Sequence, residues 1–167
     1  MRRILGIDPG LNLTGYGVLE WTQRGPQLQE AGVIRGGSGG EIAGRLEKIH
    51  RSLSEIIAQY QPTVIALEEL YSHYARPRTA ILMGHARGVI CLAAAQAGLP
   101  VRHYPATRIK KILTGNGHAP KGQMQTAVQR ELKLERLPEP ADVADALAIA
   151  LCDYYLGEKS LAKAVIP

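Results

Sequence analysis

The chain has 167 residues, is 46% hydrophobic and carries 20 Lys and Arg against 15 Asp and Glu, a formal net charge of +5. That length buries a sizeable core yet is short for two ordinary domains, so one domain over residues 1–167 is expected. No run approaches the roughly 18 successive apolar residues of a membrane span, and Asp8 and Pro9 arrive before a signal-peptide apolar segment can develop, which excludes membrane-spanning and exported classes and predicts a cytoplasmic protein.

In chain order, Arg3 to Asp8 alternates and breaks at Pro9-Gly10, predicting a strand that delivers Asp8 to its tip. Gly15–Thr22 and Gln27–Arg35, separated by Arg24-Gly25-Pro26, predict hairpin strands that complete an antiparallel meander. The Gly36-Gly37-Ser38-Gly39-Gly40 stretch has no following Lys-Ser/Thr and reads as a flexible loop, not a phosphate cradle. Ile42, Leu46, Ile49, Leu53, Ile56 and Ile57 recur at helical spacing, so an amphipathic helix is predicted over 41–60, with Pro62 just beyond.

The continuous, β-branched-rich run over 63–67 predicts a buried strand parallel to the first, ending in Glu68-Glu69. A loop rich in Tyr, His and Arg is expected from Leu70 to Arg78. The helix expected after it, over 79–97, is apolar or small almost all round and has to be covered on more than one side. A fifth strand is predicted over 99–104, helices near 107–113 and 122–134, and a last helix over 141–156, opened by Pro138-Glu139-Pro140. Cys91 and Cys152 sit in separate apolar helical patterns and read as reduced core thiols. The order βββαβαβααα implies an α/β fold, a mixed sheet flanked by helices.

Two aspartates are out of place in the last helix. In 141–151 every residue except Asp142 and Asp145 is apolar, and a spacing of three puts both acids on one face. Asp142 alone fits a first-turn acid stabilised by the helix dipole. Asp145 lies deeper, with no basic residue within a turn on its own helix, and a buried carboxylate needs a partner or a metal. Asp153 lies more than two turns further on and is expected at a solvated helix end. If the first and fourth strands are parallel neighbours, Asp8 and Glu68 project from one sheet edge and all four acids converge. At ~4 Å each like-charged pair repels by about 4 kcal/mol at an effective dielectric near 20, which is tolerable only with cations between them. Oxygen-only ligation suits Mg²⁺ or Mn²⁺, and two such ions suit in-line phosphodiester cleavage.

Gly6-Ile7-Asp8-Pro9-Gly10, Thr14-Gly15-Tyr16-Gly17, Ala66-Leu67-Glu68 and the run from Ala141 to Ala150 together resemble the RuvC family of Holliday-junction resolvases, nearly end to end. The resemblance implies a ribonuclease H-like fold with a five-stranded mixed sheet, three antiparallel strands then two parallel. It implies that Asp8, Glu68, Asp142 and Asp145 are the catalytic metal ligands, holding two Mg²⁺ ions for which Mn²⁺ can substitute. Spacing alone leaves Glu68 and Glu69 open, and the family motif selects Glu68. The implied activity is paired, symmetric nicking of four-way junctions in recombination and repair. The implied setting is a nucleoid-associated homodimer that works with the RuvA and RuvB branch-migration proteins.

Two cationic groups are candidates for DNA contact. His73, Arg76, Arg78 and Arg87 form one, and the loop from Tyr71 to Arg78 interleaves aromatics with cations, an arrangement suited to stacking on unpaired bases while gripping backbone. From that group Tyr71, Arg76 and Arg78 are taken as DNA-binding residues. The other group includes Arg108, Lys110, Lys111 and Lys121. The resemblance places Lys110 and Lys121 near the scissile phosphate, and Arg108 is added as a third DNA-binding residue. Lys121 stands at a helix start, where a cation is disfavoured unless a phosphate is present. Small residues on the 79–97 helix permit close approach by a second copy, and the two-fold symmetry of a junction favours a dimer. Two other readings compete: a non-catalytic junction-binding module, and an actin-like phosphotransferase, whose duplicated fold this single copy lacks.

Overall fold

A computed structural model describes residues 2–70 and 76–164, with side chains as far as 157. Its elements are β1 (Arg3–Asp8), β2 (Leu13–Thr22), β3 (Gly25–Arg35), α1 (Ile42–Tyr60), β4 (Val64–Glu68), α2 (Pro77–Gln96), β5 (Val101–Tyr104), α3 (Ala106–Thr114), α4 (Lys121–Glu131) and α5 (Ala141–Ala164). The sheet order is β3-β2-β1-β4-β5; β1, β2 and β3 pair antiparallel, whereas β4 runs parallel to β1 and β5 parallel to β4. The expected order and the expected three-plus-two arrangement are both present.

Several boundaries differ from expectation for local reasons. Pro26 belongs to β3 and pairs with Trp21, which an edge strand tolerates because it has a side without a ladder to complete. Helix α2 begins at Pro77, earlier than the expected residue 79, since proline's missing N–H and fixed φ suit a first helical position. Arg78 therefore sits on a helix and not in a loop. Helix α4 stops at Glu131, with Leu132 as its C-cap and Lys133 at φ 53°.

Two cores sandwich the sheet, and strand alternation assigns residues to each. Ile4, Leu19, Val64 and Ala66 pack with α3, α4 and α5 residues such as Ile109, Val128, Leu147 and Leu151. Leu5, Ile7, Val18, Ile65 and Leu67 pack on the other face with Ile49, Leu53 and Ile57 of α1 and Ile90 of α2. Each such buried Leu, Ile or Val side chain contributes about 1.5–3 kcal/mol. Both cysteines are free thiols, as their apolar contexts suggested; Cys152 lies in the core, whereas Cys91 is only partly buried against it. No described helix is long and apolar enough to cross a membrane.

Helix α2 departs from expectation. Ala86, Ile90, Ala93 and Ala94 are buried, yet Ile81 and Leu92 are 62% and 51% exposed, and nothing lies within 4 Å of a Cβ built on Gly84 or Gly88. Only one side of this apolar helix is covered by the described residues.

Candidate functional site

The period of two along β1 and β4 positions the first two acids. Ile4 and Gly6 face α5 while Leu5 and Ile7 face away, so Asp8 falls on the α5 side at the strand's end. In β4, Val64 and Ala66 face α5 and Ile65 and Leu67 do not, which puts Glu68 on the α5 side. Glu69 is exposed. This parity distinguishes the two glutamates, which spacing could not. Because Ile7 pairs with Leu67 in the parallel ladder, Asp8 and Glu68 leave the same sheet edge side by side.

Glycines bring the other two acids down to them. A Cβ on Gly6 would overlap the Ala146 carbonyl and lie 2.7 Å from the Ala150 Cβ, and one on Gly15 would overlap the Asp142 carbonyl. Bare backbone at these points lets α5 rest directly on β1 and β2, with Asp142 and Asp145 in its first turns. The turn beyond Asp8 is held by the buried Thr14, whose hydroxyl donates to the Gly10 carbonyl at 2.6 Å and accepts the Gly10 N–H at 3.3 Å.

The four carboxylates feel one another. Burial pushes the Asp8 carboxyl up to about 7, and the charges of Asp145, Asp142 and Glu68 push in the same direction, against Lys121. Glu68 is raised by burial and then by Asp145, while Lys110, Arg87 and Lys121 pull it down. Asp145 is also raised, chiefly by burial. Among the described residues, no group of three or more His, Cys, Asp or Glu side chains is arranged to hold a metal ion by itself. The donors are nonetheless all hard oxygen, and two of them, Glu68 and Asp145, open onto a cleft, which fits Mg²⁺, an ion ordinarily held by one or two carboxylates together with water and substrate phosphate.

That cleft, of about 260 Å³, is lined by Glu68, Asp145, Lys110 and Lys121, with Ile109 and Met124 among its apolar residues. Lys121 is the first residue of α4 and exposed, as the sequence indicated. Arg108 lies elsewhere: with Lys111 and His118 it borders a separate open groove of about 900 Å³ on another side of α3. Arg76 and Arg78 are exposed at the start of α2. Tyr71 and His73, with the rest of 71–75, lie outside the described residues.

Two charged residues contradict expectation. Asp153 is fully buried, not solvated: it accepts a hydrogen bond from the Tyr104 hydroxyl at 2.7 Å and pairs with Arg2 at 3.2 Å and Arg102 at 3.1 Å. Arg87, grouped by sequence with DNA-facing cations, turns inward to the Glu68 carbonyl and His103. The signal that exposed Asp145, a charge with no partner on an apolar helix, was present for Arg87 as well.

The family model described as "Crossover junction endodeoxyribonuclease RuvC" matches residues 4–153. The chain belongs to the RuvC family. A crossover junction endodeoxyribonuclease RuvC of Rhodopirellula baltica is 58% identical over 164 residues, 97% of this chain and 91% of that protein. One from Synechococcus sp. is 42% identical over 92% of this chain and 98% of its own length. Among solved structures, T. thermophilus RuvC in complex with Holliday junction substrate superposes with a TM-score of 0.90 at 31% identity, covering 96% of this chain and 97% of that one. The yeast mitochondrial resolvase Ydc2, at 13% identity and a TM-score of 0.63, shares the fold.

Proposed function

We propose that the chain is the junction-resolving endonuclease of its cell, cutting four-way DNA by phosphodiester hydrolysis at the Asp8, Glu68, Asp142 and Asp145 cluster. The observation that carries this is that Asp8, at one strand end, feels the charges of Glu68 at the next and of Asp142 and Asp145 on one apolar helix, beside a cleft lined by Glu68, Asp145, Lys110 and Lys121. Two Mg²⁺ ions, or Mn²⁺ in their place, would supply an activated water and a stabilised leaving oxygen when bound to the four carboxylates. The protein's own side chains do the rest. Asp8 has to lose its proton before it can serve as a ligand. Lys110 and Lys121 draw the phosphate toward the acids and stabilise charge that develops on it.

Arg76 and Arg78 hold the backbone as it leaves the cleft, and Tyr71 stacks on unpaired bases at the crossover. Arg108, in its separate groove, grips an arm away from the cut. The open face of α2 takes the same face of a second copy, giving a two-fold dimer that nicks both strands. The setting that follows is cytoplasmic and nucleoid-associated, with RuvA and RuvB acting on the same junction.

The test is an incubation of purified protein with a synthetic four-way junction, a linear duplex and a nicked control, with and without Mg²⁺. Metal-dependent paired nicking of the junction alone is expected. Equal cutting of the duplex, or cutting without divalent ions, refutes the reading.

A further inference from the structure

Arg87 is the only Lys or Arg of α2 beyond its first turn, and its guanidinium reaches two strand ends at once. One terminal nitrogen, Nη1, donates to the main-chain carbonyl of Glu68, and the other, Nη2, lies 3.1 Å from Nδ1 of His103. A guanidinium has no acceptor, so Nδ1 of His103 holds the lone pair and the ring proton sits on Nε2. Leu67 and His103 are register partners, which makes Arg87 a strut from the helix to the adjoining ends of β4 and β5. There the ladder ends: the Glu69 N–H donates to the Tyr104 carbonyl at 2.8 Å and the chain leaves the sheet. With Asp8, Glu68 and Met83, Arg87 also lines a cavity of about 60 Å³ on the α2 side of the two carboxylates.

We propose that Arg87 is a positioning residue for the metal-binding carboxylates: by tying the main chain of Glu68 to α2 it fixes how the end of β4 presents the Glu68 side chain. This rests on the reading of Glu68 as a metal ligand. Both terminal nitrogens of the fork are engaged within the protein, which leaves the guanidinium fewer N–H groups for a phosphate. The planar fork is what spans two acceptors at a fixed angle, and a lysine's single ammonium cannot reproduce it.

The test compares Arg87→Gln, Arg87→Lys and His103→Ala, the last removing the fork's second anchor from an exposed position. Mn²⁺ affinity is measured on the protein alone by the electron paramagnetic resonance of free Mn²⁺, and junction affinity is measured without metal. Both Arg87 variants are expected to lose about tenfold in Mn²⁺ affinity, as removal of an outer partner of a metal ligand does. His103→Ala should lose less in the same direction, and all three should bind metal-free junction within about twofold of wild type. Full Mn²⁺ affinity in Arg87→Lys would mean that charge alone matters and would overturn the proposal. So would a loss of metal-free junction binding with Mn²⁺ affinity intact, which makes Arg87 a DNA contact. If the Arg87 variants do not fold, wild-type Mn²⁺ affinity in His103→Ala overturns it. A wild-type protein that binds no Mn²⁺ defeats the metal reading itself, a result separable from all of these.

Discussion

Gly15 on β2 lies so close beneath Asp142 that a single methyl at Gly15 would overlap the Asp142 main-chain carbonyl. Gly15 is also the register partner of Asp8, so one glycine sits between acids supplied by two distant parts of the chain. The Thr14-Gly15-Tyr16-Gly17 motif thus sets how near α5 comes to the sheet.

Gly15→Ala should therefore harm the site more than the fold. Overpacking of this kind destabilises by about 1–3 kcal/mol. Denaturant unfolding should show a loss in that range, while cleavage at saturating junction falls by more than the unfolded fraction explains and metal-free junction binding persists. Wild-type cleavage by a folded Gly15→Ala protein would show that α5 has room to spare.

Asp8→Asn separates stability from activity. The Asp8 carboxyl is raised from 3.8 to about 7 by burial and by neighbouring acids. A carboxyl raised on folding contributes stability that is fully present below its unfolded pKa and is lost as pH rises through the folded one. Between about pH 4 and 7 the wild type thus loses stability that the uncharged amide of the variant keeps. The variant's melting temperature should exceed wild type at about pH 8, and the gap should close toward about pH 4. Cleavage should fall by about 10³-fold or more, since under the proposed function Asp8 holds metal and several kcal/mol of transition-state stabilisation go with it. Melting curves in metal-free buffer at several pH values check the first point, and single-turnover cleavage checks the second.

Lys121→Ala and Arg108→Ala should differ in kind. Lys121 lines the cleft with Glu68 and Asp145, and its removal is expected to lower the rate at saturating junction by about 10²-fold. Arg108 borders another groove, so its loss should weaken junction binding and reduce the salt slope by about one without changing the saturated rate. Binding across a salt series, paired with single-turnover rates, separates them. Identical losses from both would merge the two surfaces into one.

Leu92→Glu and Ile81→Glu place charge on the open side of α2. Both side chains are more than half exposed, so a change in folding stability of no more than about 0.5 kcal/mol is expected. Analytical ultracentrifugation should show a dimer for wild type and monomers for the double variant, which should nick one strand of a junction without the paired second cut. An unchanged sedimentation coefficient would remove α2 from the interface.

The element order, the mixed sheet and the acids are legible in the sequence because each leaves a local mark: alternation for strands, a helical period for α1, and carboxylates stranded among alanines in α5. Sequence reading fails where the outcome depends on what lies across space. Asp153 looks like a helix-end acid beside two tyrosines, yet Arg2 from the chain's start and Arg102 and Tyr104 from β5 converge on it. Arg87 looks like a DNA-facing cation because its partners, the Glu68 carbonyl and His103, are 19 and 16 residues away. The chain by itself determined which residues bear charge, which face of each element is apolar and where turns fall, since these follow from side-chain chemistry and short-range backbone sterics. Only the tertiary structure decided which charges meet: the depth at which α5 docks, the parity that turns Glu68 rather than Glu69 toward it, and the burial that lifts Asp8 to about 7 depend on contacts between segments far apart in sequence.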